Sequence, residues 1–485
     1  MAMSGLPVER LRIYLRQLPP GARALLITEL ERAVMRGDEI PGGEALLDEV
    51  RSAARESESS VPRAADPARL FFRALDPFLI DDDPAHKHLG RIARKALDPI
   101  WAWICRDLAP AEANIFRDEA GRALIAGDDA ACERLSADLQ DCVAAKIQAA
   151  LTAAKIDDRA RRRMIGQIGT PKAIEDARDL LIILNARDAI ATIEGRLPEH
   201  IRNLADVPLD AVKAAVDLSI VSRHELLPYA LVLVMGHLAA PWQVVRLAVK
   251  SAESDDATRI AASPYAIAVT MVLADIERMV IALKSHLKRG ATGDAALLIK
   301  SIHDAARGLR TELDLSGDQP WARQLAAVRS DVADLLKTEV ESVSGRVRRL
   351  LRPRPAAEIA RKSVLDAGDV AETEALIELA GTCRHYASEL AISEMTLRTF
   401  SELQRYLDTG TRTLLDGLRQ AGESDGLFRQ SQVDAAVRFC AKVFGEDYAA
   451  LLAKAAEVAA NAASERQAAP RPDSPPAPVA EARRA

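Results

Sequence analysis

The sequence predicts an all-α protein of packed multi-helix bundles, and three observations carry that prediction. Apolar residues recur every three or four positions along most of the chain, and no run alternates apolar and polar residues between hairpin turn signals. Aromatics make up only 4% of residues while the hydrophobic fraction is 49%, so Ala, Leu, Ile and Val supply the core, and Ala favours closely packed helices. At 485 residues the chain is too long for one core, so several domains are expected.

Taken in order, residues 1–56 read as a small unit of three helices, Val8–Gln17, Ala22–Arg36 and Glu44–Ala54, separated by Pro19-Pro20-Gly21 and by the Gly-rich stretch 37–43. Residues 57–67 are polar and read as a linker. An aromatic-rich helical domain follows over 68–165. It opens with an internal echo, Arg73–Phe78 against Lys95–Ile100, in which each Asp-Pro step is expected to interrupt a helix. Helices are expected there over Pro110–Ala126 and Ala130–Lys155. Residues 166–262 form a section of short helices punctuated by Pro171, Pro198, Pro208, Pro228 and Pro241. An irregular stack of helical hairpins would suit such lengths, but without a fixed sequence period a plain bundle is read ahead of it.

Residues 263–465 carry the longest helices. Ser263-Pro264 reads as N-cap and first helical position of a helix ending at Lys288, before Gly290. The next helix covers Asp294–Leu313. From Pro320 onward, Leu325, Val328, Val332, Leu336, Val340, Val343, Val347 and Leu350 mark one face, at a spacing nearer the α-helical period than the heptad repeat. Further helices are expected over Val370–Ala391, Met395–Gln420, Gln432–Val443 and Asp447–Ala463. Residues 466–485, rich in Pro and Ala, read as a disordered C-terminal tail.

A net charge of −6 gives no global attraction to nucleic acid, and none is expected as a partner. Met1–Pro7 contain no basic leader with a following apolar run, so no secretory signal is read. The five scattered cysteines, Cys105, Cys132, Cys142, Cys383 and Cys440, suit a reduced, cytoplasmic protein. Residues 226–245 hold no charged side chain and approach the length of a membrane span, but Pro228, Gly236 and Pro241 divide them into two shorter buried helices. Membrane contact is the lesser reading of that run.

No catalytic set, phosphate loop or metal box emerges, and no cofactor is expected. The cluster Asp81-Asp82-Asp83-Pro84-Ala85-His86-Lys87-His88 holds metal-ligand chemistry; its plainer reading is a capped helix start with exposed histidines. His237 reads as a core histidine with a satisfied ring, and Cys383 and His385 fall on different helix faces. Two features remain as candidate sites. Arg346, Arg348, Arg349, Arg352 and Arg354 form an anion or partner patch, or else complement the C-terminal end of the long helix. Phe71, Phe72, His86, His88, Trp101 and Trp103 line a pocket or groove, or else fill a bundle core. Together these traits predict a non-enzymatic adaptor or scaffold that binds other proteins. A small-ligand binder or enzyme with a pocket near residues 71–116, or a peripheral membrane protein, is the alternative.

Overall fold

The computed structural model describes residues 66–81, 87–221, 223–361 and 363–468. The three N-terminal helices, nearly all of the linker, His86 and the tail beyond residue 468 lie outside these residues. The described residues form eighteen α-helices with short 3₁₀ turns and one two-residue strand pair, as the all-α reading requires. They divide into two compact units. The first comprises residues up to Glu194 together with 223–232, and the second comprises Gly195–Ser222 and everything from Leu233 onward.

In the first unit α1 (Pro67–Phe72) starts one residue inside the expected linker, because the Asp66 carboxylate accepts from the Ala68 amide at 3.0 Å and Pro67 occupies the first turn. A 3₁₀ turn, Arg73–Phe78, leads to β1 (Leu79–Ile80), which pairs in parallel with β2 (Ile92–Ala93). Two residues per strand are too few to show alternation, so no sequence pattern marks them. The chain between residues 87 and 93 therefore runs as loop and strand, not as the helix expected after Asp81–Pro84. Asp76-Pro77 lies in the 3₁₀ turn, but Asp98-Pro99 lies in the first turn of α2 (Leu97–Trp103), where a missing amide is harmless. A widened turn, Ile104–Leu108, precedes α3 (Pro110–Ala126), which ends at Gly127 with φ +68°. Then come α4 (Asp129–Ile156), α5 (Asp158–Ile168), α6 (Pro171–Asn185) and α7 (Arg187–Glu194). Asp128, Asp157 and Thr170 cap the first three of these. Helix α4 packs on α3, α5 and α6, around a core of Phe71, Phe78, Ile100, Trp103, Val143 and Ile147.

The second unit begins with α8 (Asp206–Ile220). Helix α9 (Leu227–His237), whose first six residues belong to the first unit, and α10 (Val245–Ala252), the latter preceded by a 3₁₀ turn over Pro241–Val244, divide the uncharged run as expected. Among the described residues no helix is long and apolar enough to cross a membrane. His237 is half-buried instead of a core residue, and its Nδ1 lies 2.7 Å from the Pro198 carbonyl oxygen. After α11 (Ala257–Ala261) the long helices follow: α12 (Ala266–Lys288), α13 (Thr292–Glu312), α14 (Pro320–Leu351), α15 (Ala367–His385), α16 (Ser393–Arg419), α17 (Gly426–Phe444) and α18 (Glu446–Ala468). Four boundaries differ from expectation: α17 begins at Gly426, six residues before Gln432, α18 runs past Ala463 to Ala468, and the ends of two others move. Ser263 and Pro264 form a turn in which the Ala266 amide donates to the Ser263 carbonyl, so α12 starts later. Helix α15 stops at His385, and a turned segment with Ala391 at φ +57° bridges to α16.

These helices pair as hairpins, α12 with α13, α14 with α15 and α16 with α17, and each also packs on the helix two further along, out to α18. The second unit is thus a stack of helical hairpins in two rows. Unequal helix and loop lengths hide the repeat from the sequence. The α14 stripe is buried along its whole length against α12, α15 and α16. At its end the buried Gln432 side chain donates to the carbonyls of Leu350 (2.9 Å) and Arg352 (3.0 Å), satisfying acceptors that no helical turn can reach.

The first hairpin is fixed by a close approach. The Trp242 ring lies directly on the Cα of Gly308, where a Cβ would overlap ring carbons. Arg246 stacks 5.5 Å from the same ring's centroid while bridging to Glu312 at 2.6 Å. Gly308→Ala is therefore expected to displace Trp242 and lower stability by about 1–3 kcal/mol, as overpacked cores do. Urea denaturation with tryptophan emission checks this, and an unchanged midpoint would refute the contact.

Candidate functional site

Of the aromatic candidates, Phe71, Phe72 and Trp101 pack on one another, with ring centroids 5.0–6.0 Å apart, and Trp101 also meets Phe116 at 6.3 Å. Trp103 is fully buried. Their edge-to-face and tilted contacts are those of a filled core. His88 is half-buried in the loop before β2, and its carbonyl accepts from the Arg91 amide. A cavity of about 660 Å³ does adjoin this section, but its walls are Leu70, Arg73, Ala74, Asp76 and Pro77 with α4, α6 and α7, including Gln140, Ile183 and Arg187, and none of the aromatic candidates. The buried Gln140 donates to the Phe71 carbonyl at 2.7 Å and accepts from Arg187 at 2.9 Å, so it fixes one wall.

The arginine cluster is drawn into the second unit's own packing. Arg346 and Arg349 pair with Glu372 and Asp369 on α15. Arg348 stacks over Tyr406 of α16 and Arg354 over Phe428 of α17, at 5.7 and 5.2 Å. Arg352 is exposed, and its carbonyl receives the Gln432 amide. Four guanidiniums, three on α14 and one just beyond its end, thus tie this region to the neighbouring helices.

A buried charged cluster in the first unit went unread. Lys87 bridges to Asp176 and, at 2.7 Å, to Asp179, one turn apart on α6. The Tyr229 hydroxyl donates to Asp179 at 2.8 Å. Burial pushes the Asp176 carboxyl above its ordinary range, opposed by Lys87. Burial and the Asp179 carboxylate push the Tyr229 hydroxyl up, keeping it a donor. Gly90, at φ +69°, completes the join, because a Cβ there would lie 2.8 Å from the Pro228 carbonyl oxygen. Asp176 shares its helix face with Ala173, Ala177 and Leu180, which was the available signal: a carboxylate on a buried stripe requires a cation. Two acids, one lysine and a tyrosine act as a clamp on the 87–91 loop.

In the second unit a cavity of about 270 Å³ lies among α9, the Pro241–Val244 turn, α12 and α13. Trp242, Met235, Met279 and Val272 form its apolar walls. Its polar edge carries Asp275 with Arg278 (3.3 Å) and Lys300 with Asp304 (2.9 Å). Burial pushes the Asp304 carboxyl up, but hydrogen bonds from Lys300 and His303 outweigh it and hold the group below the usual carboxylate range.

The second feature that sequence reading missed is an exposed stripe on α8. Val207, Ala211, Ala214, Leu218 and Val221 follow at alternating steps of four and three and share one outward face; Val207, Leu218 and Val221 are 78%, 67% and 72% exposed. The opposite face, Val212, Ala215, Val216 and Ile220, is buried. Asp206, Asp210 and Asp217 line one flank of the exposed stripe, with Asp210 bridged to Lys250 and Asp217 to Lys213.

Among the described residues no group of three or more His, Cys, Asp or Glu side chains could hold a metal ion. No protein family, curated protein or solved structure matches the chain.

Two outcomes follow for these groups. Lys87→Met leaves two carboxylates without their cation, one of them on a side chain only 5% exposed, and should lower the stability of the first unit by about 3–5 kcal/mol in urea. A loss under about 1 kcal/mol would show that the clamp is dispensable. Burial lifts the Cys383 and Cys440 thiols to about 12, so both should resist alkylation by iodoacetamide at neutral pH until urea unfolds the chain, as read by mass spectrometry.

Proposed function

We propose that the chain is a non-enzymatic helical scaffold that binds another protein by accepting a partner helix along the outer stripe of α8. The observation that carries this reading is the exposed run from Val207 to Val221, whose spacing is that of a helix–helix seam. Three large apolar side chains and two alanines aligned on one helix face are unlike the scattered apolar residues of ordinary surfaces. The occupant is an amphipathic helix with a Lys or Arg beside its apolar face, placed to meet Asp206, since Asp210 and Asp217 on the same flank are already bridged to Lys250 and Lys213. The hairpin stack supports the scaffold reading, since such stacks present extended surfaces. Five free thiols support a reducing, cytoplasmic setting.

Leu218→Lys breaks the seam at an exposed site and should leave thermal stability within about 2 °C of the parent. Quantitative affinity capture from native cells should then lose at least one partner by about tenfold or more. Cross-links from that partner to α8 should map to a segment with helical apolar spacing and basic flanks. Recovery of the same partners by both proteins, or cross-links to an acidic segment, would overturn the assignment.

A further inference from the structure

The cavity behind Trp242 is built in a way that core packing does not require. Its aromatic wall is immobilised from outside the cavity: Gly308 receives one part of the ring, and Arg246 lies over it, itself held by Glu312 and by the Asn203 side chain at 2.6 Å. Trp242 nevertheless stays half-exposed, with ring surface left toward the cavity. Met235 and Met279 face the same space, and thioether side chains adapt to flat, polarizable surfaces. The volume falls just below the range of about 300–1,000 Å³ for drug-sized ligands, which selects a single ring system.

The edge of the cavity decides the polarity of the ligand. Its two cations and two carboxylates occur as matched pairs, Arg278 with Asp275 and Lys300 with Asp304. The edge therefore offers donors and acceptors side by side with no net charge, and His303, 3.0 Å from Asp304, helps to keep that acceptor ionised. A ligand with a full charge would have to break one pair and leave its remaining member uncompensated. A neutral ring carrying both donors and acceptors on one edge satisfies the pairs as they stand.

We propose that this cavity binds a neutral, planar heteroaromatic molecule, with its ring against Trp242 and its polar edge toward Asp275, Arg278 and Asp304. Adenine is a suitable probe, with benzoate and benzylamine as charged rings of similar size. Calorimetric titration should show saturable adenine binding, with both charged rings weaker by about tenfold or more. Ala305→Leu, which fills the cavity floor, and Ser301→Tyr, which blocks its exposed edge, should each weaken adenine binding by about tenfold or more, while Trp242→Phe keeps a ring wall and should stay within about threefold. Thermal melts identify a variant that fails to fold, and the other blocking variant then decides. Absence of saturable adenine binding up to about 10 mM, equal affinity for benzoate or benzylamine, or unchanged binding in a folded blocking variant would overturn the proposal.

Discussion

Burial of the α14 stripe is the interaction on which the second unit depends. Its leucines and valines touch α12, α15 and α16 at once, so one helix supplies the shared floor of neighbouring hairpins. A fully buried Val or Leu contributes about 1.5–3 kcal/mol, and eight of them in line outweigh any surface pair nearby. The arginines at the end of α14 act on the same geometry. Their pairs and ring contacts with α15, α16 and α17 hold the rows in register, and Gln432 lets the helix end inside the stack without stranding its carbonyls.

The first unit solves its packing by different means. Large aromatic rings fill the space between helices that do not repeat, and a charged clamp joins a loop to α6. Burying two carboxylates and a lysine is an expensive way to close a loop, and hydrophobic replacements often serve stability better. What the charges add is direction: Lys87 reaches one pair of acids on one face of one helix, and Tyr229 meets the same pair from another segment.

Much of this was legible in the sequence, because helix periodicity is a local property. The α14 face, the break between α9 and α10, and the Pro110 and Pro171 starts follow from residues within a few turns of each other. Hairpin stacking was harder to see, since it is carried by contacts between segments of unequal length. The aromatic section could be recognised as special, but whether Trp101 lines a cavity or meets Phe71 depends on chain crossings that no local pattern encodes. The exposed α8 stripe escaped for another reason. That helix is apolar on both faces, so composition marks it as buried, and only the fold reveals which face has company. Asp176 was the reverse case, a readable anomaly on an apolar face whose partner sat in a loop that looked solvent-exposed.

The two-row stack has a mechanical consequence. Successive hairpins meet their neighbours mainly through side-chain packing, with both cysteines of the stack, Cys383 and Cys440, free and no β-sheet joining its layers among the described residues. Small rotations at each interface can therefore add up along the rows while every local contact survives. In a stack of this kind the curvature is set by the sum of the small rotations between successive hairpins. Strain applied at one end is shared among the interfaces, and no single layer has to break to absorb it.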